Sequence, residues 1–191
     1  MYINRILEQN LREKLNKGKV IIVYGARRVG KTTLIKDVFN ESEYLYLSCE
    51  QQRIQEQLTP DSLQLKKVFG DYKNIVLDEA QYLENPGLIL KILIDNNPEL
   101  NIIASGSSSF DLANKVNEPL TGRYFKYTLF PVSLSEIKKN FNPIDQNDYA
   151  ENSMIYGSYP EIFNIESKED KINYITDLAD SYLYKDISHL I

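Results

Sequence analysis

The chain has 191 residues, 42% of them hydrophobic and 26% charged, with a net charge of −5. That size and balance describe one soluble globular domain with at most a small appendage, and the negative sign excludes a global basic field drawing it to nucleic acid or anionic membranes. One cysteine, Cys49, and one histidine, His189, exclude an intrachain disulfide, a cysteine-rich zinc site and a histidine metal cluster.

Residues 2–17 predict a short amphipathic helix with Ile6, Leu7, Leu11 and Leu15 on one side, ended by Gly18. Its first residues, Ile3, Arg5 or Ile6, either pack beside a sheet or line an adenine pocket. Val20–Val23 then reads as a buried strand. It runs into Gly25-Ala26-Arg27-Arg28-Val29-Gly30-Lys31-Thr32, which matches G-x-x-x-x-G-K-[ST] at every fixed position. Leu34, Ile35, Val38 and Phe39 follow at helical spacing, so the loop opens a helix.

Strand, loop and helix in that order are the context a phosphate-binding P-loop, or Walker A element, requires. Gly25 and Gly30 permit backbone paths and close approaches that a side chain would block. Inward-pointing N–H groups from Gly25 through Thr33 and the positive helix end would then hold phosphate. Lys31 brings a point charge to the β- and γ-phosphates, and Thr32 a hydroxyl to Mg²⁺. The expectation is a nucleotide-binding protein.

Glu43–Cys49 reads as a second strand, with Cys49 a buried, inert thiol. Residues 50–69 are polar and mostly helical, broken at Thr59-Pro60, with Asp61 or Thr59 capping the second piece. Asn74–Leu77 is an apolar strand that delivers Asp78 and Glu79 at its C-terminal end, where ligands bind in open α/β sheets. Behind a P-loop this is a Walker B element: Asp78 would hold Mg²⁺ and Glu79 would polarise the attacking water.

Gly87–Asn96 is a strongly apolar helix, and residues 101–107 form the next strand, ending in Ser105 and Ser107. One of these hydroxyls would touch the γ-phosphate or the lytic water; otherwise Ser107–Ser109 cap the helix that follows. Arg123 precedes the alternating strand Tyr124–Phe130, closed by Pro131. It either meets phosphate charge in the transition state, in its own subunit or a neighbour's, or pairs with a surface acid. From Ser133 onward the pattern is helical, and Ser133 and Glu136 have capping-box spacing. Tyr149–Tyr159 is polar and aromatic and ends in a turn. Ser167 and Asp170 cap a last helix whose Ile172, Ile175, Leu178, Leu183 and Ile187 face one side.

Together these elements resemble the P-loop ATPases of the AAA+ superfamily. More narrowly, the chain is similar to uncharacterised bacterial and archaeal AAA-type ATPases with an additional C-terminal domain. GARRVGKTTL, IVLDEAQ, IIASGSSS, LTGRYFKYTLFPVSLSEI, YGSYPE and YLYKDI carry the resemblance, in that order. Relatives of this kind continue with more helices beyond the YLYKDI position. The chain is therefore expected to be either a fragment, with a protein or DNA partner reached through the missing part, or a short natural form; a homo-oligomer is left open.

The expected fold is a three-layer α/β/α sandwich of AAA+ type with a mostly parallel sheet, residues 1–131, and a C-terminal helical, lid-like appendage, residues 132–191. The expected activity is Mg²⁺-dependent ATP hydrolysis by a cytoplasmic protein with no membrane partner. Lys31, Glu79, Ser107 and Arg123 are its catalytic candidates. The alternative is an ATP-dependent switch with negligible turnover that gates a partner. A GTPase is disfavoured because Asn114-Lys115-Val116-Asn117 lacks the aspartate of N-K-x-D. A small-molecule kinase fits an Asp-Glu pair less well than hydrolysis, and the chain is too short for a two-core helicase.

Overall fold

In the computed structural model, the described residues are 2–39, 42–106, 115–116 and 119–188, with side chains to 181. The chain forms two compact units. One is Ile6–Phe130; the other joins Met1–Arg5 to Pro131–Ile191.

The larger unit is a five-stranded sheet in the order β2-β3-β4-β1-β5, every pairing parallel. The strands are β1 Val20–Tyr24, β2 Leu45–Ser48, β3 Asn74–Asp78, β4 Asn101–Gly106 and β5 Tyr124–Thr128. The apolar runs of β1, β3 and β4 are buried on both faces, as central parallel strands must be. Val20, Ile22, Ile75, Leu77, Ile102 and Ala104 turn one way, onto α3 (Gln52–Gln57), α4 (Ser62–Phe69) and α5 (Pro86–Asn96). By strand alternation Ile21, Val23, Val76 and Ile103 turn the other way, where α1 (Ile6–Lys14) and α2 (Lys31–Val38) bury Leu11, Leu34 and Ile35. Arg12 of α1 closes the end of α2, donating to the carbonyls of Val38 and Asp37 at 2.8 and 2.6 Å.

Several boundaries differ from expectation for local reasons. The first helix spans Ile6–Lys14 rather than 2–17, because residues 2–5 belong to the other unit. The break at Thr59-Pro60 separates α3 from α4, and Asp61 is the cap, accepting from Leu63 N and Gln64 N at 2.8 and 3.0 Å. β5 ends at Thr128, after which Leu129 N still donates to Tyr24 O at 2.7 Å.

The smaller unit contains α6 (Leu134–Asn140), α7 (Gln146–Tyr156), a 3₁₀ turn at Pro160–Asn164 and α8 (Lys168–Ser188). Its core joins Ile3, Val132 and Ile137 to Phe141, Tyr149 and Phe163, with the Phe141 and Tyr149 ring centroids 3.8 Å apart. Ser133 and Glu136 complete the capping box. Glu136 also takes a buried hydrogen-bonded ion pair from Arg5 Nε at 3.0 Å. Ile3 and Arg5 are thus engaged inside this unit rather than packed beside the sheet. Residues 146–156 are helical, within the region where a helical pattern was expected, and Met154 and Ile155 on that helix are exposed. Leu178 of α8 is buried, but Ile172 is 55% exposed, so the two do not share an inner face.

Candidate nucleotide site

The C-terminal ends of β1, β3 and β4 lie side by side, and each contributes to one site. From β1 comes the loop. Gly25 is irreplaceable on steric grounds, since a Cβ there would stand 2.5 Å from the Leu129 carbonyl oxygen. Val29 is fully buried beneath the loop, and Arg28 and Gly30 take positive φ, 58° and 96°. Gly30 is the residue from which α2 starts. Ala26 and Arg27 are half-buried; Arg28 and Thr33 are exposed. The Arg27 guanidinium reaches the Tyr82 hydroxyl at 3.3 Å.

Lys31, the first residue of α2, is buried and folds back over the loop. Its Nζ donates to the carbonyls of Gly25 and Ala26 at 3.0 and 3.1 Å and lies 3.7 Å from Glu79 Oε1. Burial pushes its pKa below the ordinary lysine value, against the opposing pull of Glu79 and Asp78. A sequestered cation held by carbonyls, on a loop packed too closely for any side chain at Gly25, fits a polyphosphate.

From β3 come Asp78 and Glu79. Asp78 is buried and accepts three hydroxyls: Thr32 Oγ1 at 2.7 Å and Tyr46 OH at 2.5 Å, both on Oδ2, and Ser105 Oγ on Oδ1. Burial and the Asp78 hydrogen bond push the Tyr46 phenol upward, so it stays a donor. Because Thr32 gives its proton to Asp78, its oxygen lone pairs remain for a cation. One carboxylate and one hydroxyl beside a phosphate cradle suit Mg²⁺, which keeps several waters and takes the rest from substrate. Among the described residues no cluster of three His, Cys, Asp or Glu side chains could hold a metal.

Glu79 sits at φ 54°, a left-handed backbone that turns the chain into a 3₁₀ segment, Ala80–Tyr82. Its Oε2 accepts from Gln81 Nε2 at 2.6 Å. From β4 comes Ser105, fully buried; it donates to Asp78 and accepts from Glu79 N at 3.2 Å. Its proton is thereby committed inside the protein. Ser107 lies outside the described residues, as does His189.

Arg123 is not brought to this site within its own chain. Its carbonyl accepts from Val20 N, at the opposite end of β1 from the loop, about 13 Å of strand away. Its Nε pairs with Asp95 at 2.6 Å, the surface-acid alternative. Tyr46, Gln81 and Lys115, which donates to the carbonyls of Gln81 and Leu83, were not anticipated as site residues. Tyr46 carries one faint signal, a polar tip in an otherwise apolar strand two residues before the position level with Asp78.

This sheet and its loop are those of a P-loop NTPase. A family model described as an AAA domain matches residues 17–138, and the chain belongs to that family. The uncharacterized protein MJ1544 of Methanocaldococcus jannaschii is 25% identical over 200 residues, covering 96% of this chain and 45% of its own length. Rv2008c of Mycobacterium tuberculosis, also uncharacterized, is 25% identical over 182 residues, covering 94% of this chain and 38% of its own. The chain therefore spans less than half the length of these relatives. Among solved structures, the Walker-type ATPase PABY2304 of Pyrococcus abyssi superposes with a TM-score of 0.65 at 17% identity, over 99% of this chain and 75% of that one. AMPPCP-bound DnaA from Aquifex aeolicus gives 0.54 at 18% identity, over 89% and 59%. At such identities the likeness is one of fold. No helix among the described residues is long and apolar enough to cross a membrane.

Proposed function

We propose that this AAA-type domain binds ATP with Mg²⁺ and hydrolyses it to ADP and phosphate. The observation that carries this reading is the meeting of Lys31, Thr32, Asp78 and Glu79 at the ends of two strands, with Glu79 Oε1 3.7 Å from Lys31 Nζ. When bound, ATP–Mg²⁺ would supply the scissile phosphoanhydride and the Lewis acid. Lys31 would exchange carbonyl partners for phosphate oxygens, adding countercharge to that of Glu79 around its buried ammonium. The loop amides from Gly25 to Thr33 hold the phosphates. Thr32 and Asp78 would hold the metal, with Tyr46 and Ser105 fixing the carboxylate. Glu79 accepts a proton from water through Oε1, while Gln81 holds Oε2.

Arg123, half-exposed at the far end of the sheet, acts on a neighbouring subunit in this reading, so turnover per subunit depends on assembly. Residues 132–191 serve as a lid-like appendage in this reading. The alternative, a switch that binds ATP and scarcely turns over, shares every one of these residues.

Phosphate release with ATP and Mg²⁺ tests the reading, with wild type beside Glu79→Gln across a range of protein concentrations. Hydrolysis should be lost at least a hundredfold in the variant while nucleotide affinity stays within a few-fold. Lys31→Ala should abolish binding. Tight ATP binding by the wild type without turnover at any concentration would establish the switch. Normal hydrolysis by Glu79→Gln would remove Glu79 from the mechanism.

A further inference from the structure

Glu79 lies just beyond the sheet, its N–H still donating to Ser105 Oγ of β4, and its side chain is carried by a turn. β3 ends at Asp78, Glu79 takes a left-handed backbone, and the 3₁₀ segment Ala80–Tyr82 follows, closed by Leu83 N donating to Ala80 O at 3.1 Å. A carboxylate at such a position keeps one orientation only if the turn itself is pinned.

The pin comes from elsewhere in the chain. Lys115 Nζ donates to two carbonyls of this turn, Gln81 O at 2.9 Å and Leu83 O at 3.0 Å. Its own backbone is anchored: Val116 is fully buried in the core, and Gly87 of α5 lets the Lys115 carbonyl pass so closely that a Cβ on residue 87 would clash with it. One side chain further, Gln81 Nε2 donates to Glu79 Oε2 at 2.6 Å. A fixed ammonium therefore sets the turn, the turn sets Gln81, and Gln81 sets the rotamer of Glu79.

We propose that Lys115 is a positioning residue for Glu79, acting through the carbonyls of Gln81 and Leu83 and the side chain of Gln81. This rests on the ATPase reading of Glu79. The N-K-x-N stretch, which lacks the acid needed to recognise guanine, acquires a different use, because the ammonium of its lysine reaches the turn that carries the carboxylate. The chemistry asked of Lys115 is modest. A single ammonium bridges the carbonyls of Gln81 and Leu83, and an ammonium has donors to spare for both.

The test uses Lys115→Met, Lys115→Gln, Lys115→Arg, Gln81→Ala and the Lys115→Met/Gln81→Ala double variant. Lys115 is exposed, so its loss leaves the core intact. Lys115→Met and Lys115→Gln should lower kcat about tenfold, with the Kd for a fluorescent ADP analogue within twofold of wild type. Lys115→Arg, which can also donate to two carbonyls, should recover most of the rate. The double variant should fall no further than Gln81→Ala, because the two act in series. Unchanged or raised kcat in Lys115→Met, or losses that multiply in the double variant, overturn the proposal. If wild type binds ATP without turnover, the ATPase reading fails by itself, and the pinning is then read from amide hydrogen exchange. Residues 79–83 should exchange at least tenfold faster in Lys115→Met while β1 is unaffected; equal exchange there overturns it.

Discussion

The hydroxyls of Thr32 and Tyr46 donate to the same atom, Asp78 Oδ2, at 2.7 and 2.5 Å. Thr32 belongs to the phosphate loop and its helix, whereas Tyr46 reaches across from β2. Lys36 of α2 stacks over the Tyr46 ring at 4.8 Å and ties the phenol to that helix. The carboxylate of a metal site is oriented by such outer partners, whose loss weakens metal binding roughly 10- to 100-fold. Tyr46→Phe should therefore raise the Mg²⁺ concentration for half-maximal tightening of nucleotide binding about tenfold. Affinity in EDTA should be unchanged. A Mg²⁺ titration that superposes on wild type would show that Thr32 and Ser105 suffice to hold Asp78.

What could be read from the sequence, and what could not, follows the distance over which each chemistry acts. The loop from Gly25 to Thr32 is contiguous, so its residue types declare it; Asp78-Glu79 is declared by the apolar strand before it. Asp61 and the Ser133–Glu136 box were legible because capping is local. Strand order was not, and with it went Tyr46, whose contact exists only because β2 lies beside β3. The reach of Lys115 to the turn after β3 is likewise a product of packing, through Gly87 and Val116. Arg123 was open between phosphate and a surface acid; because it precedes β5 of a parallel sheet it lies at the strands' N-terminal ends, away from the loop, where it pairs with Asp95. The helix at 146–156 falls within the helical pattern expected from Ser133 onward, although its apolar residues follow no helical period. It is held instead by Tyr149 against Phe141 and by Asn142, whose Oδ1 accepts from the amides of Ile144 and Asp145.

Gly25 offers a test of how far the loop depends on close backbone approach. A Cβ there would lie 2.5 Å from the Leu129 carbonyl, on a segment that is itself hydrogen-bonded to Tyr24. Neither side can yield cheaply, and overpacking of this kind costs about 1–3 kcal/mol. Gly25→Ala should lower the thermal midpoint by several degrees and nucleotide affinity more than tenfold. Gly122→Ala is the contrast: Gly122 has positive φ, but an added methyl would meet nothing within 4 Å, so only backbone strain is introduced. It should lose about 1 kcal/mol of stability and no affinity. Equal affinity losses in the two variants would contradict the steric account.

Tyr24 ends β1 fully buried, and its hydroxyl meets no protein partner among the described residues. Burial, with a smaller contribution from Tyr124, pushes the phenol up to about 12. Below the ordinary tyrosine value of about 10 both folded and unfolded chains keep the proton, and pH has no leverage through this group. Between about 10 and about 12 the unfolded chain releases a proton that the folded one retains, so stability falls as pH rises, by about 1.4 kcal/mol per unit at most. Tyr24→Phe removes both that sensitivity and an unpaired buried hydroxyl. Its urea midpoint should equal or exceed wild type at pH 7, and its advantage should widen at pH 10.5. An advantage that stays constant between the two values would mean the phenol ionises as readily folded as unfolded.

Arg123 and Asp95 form a 2.6 Å pair at the end of the sheet remote from the loop, each side chain about two-fifths exposed. An exposed pair of this kind contributes little to stability, about 0–1 kcal/mol, so Arg123→Ala should leave the thermal midpoint within a degree or two of wild type. Its own chain gives it no path to the nucleotide: the guanidinium would have to span β1 from Val20 to Tyr24. Any effect on hydrolysis must then come from a second copy. At protein concentrations where wild type is monomeric, turnover of Arg123→Ala should match wild type. Where wild-type turnover per subunit rises with concentration, the variant's should stay flat. Mixing Arg123→Ala with Glu79→Gln gives the decisive arm: the first keeps an intact site and the second an intact arginine, so the mixture should be more active than either alone. A deficit in Arg123→Ala that is the same at every concentration would place the arginine's influence within its own subunit and remove the assembly argument.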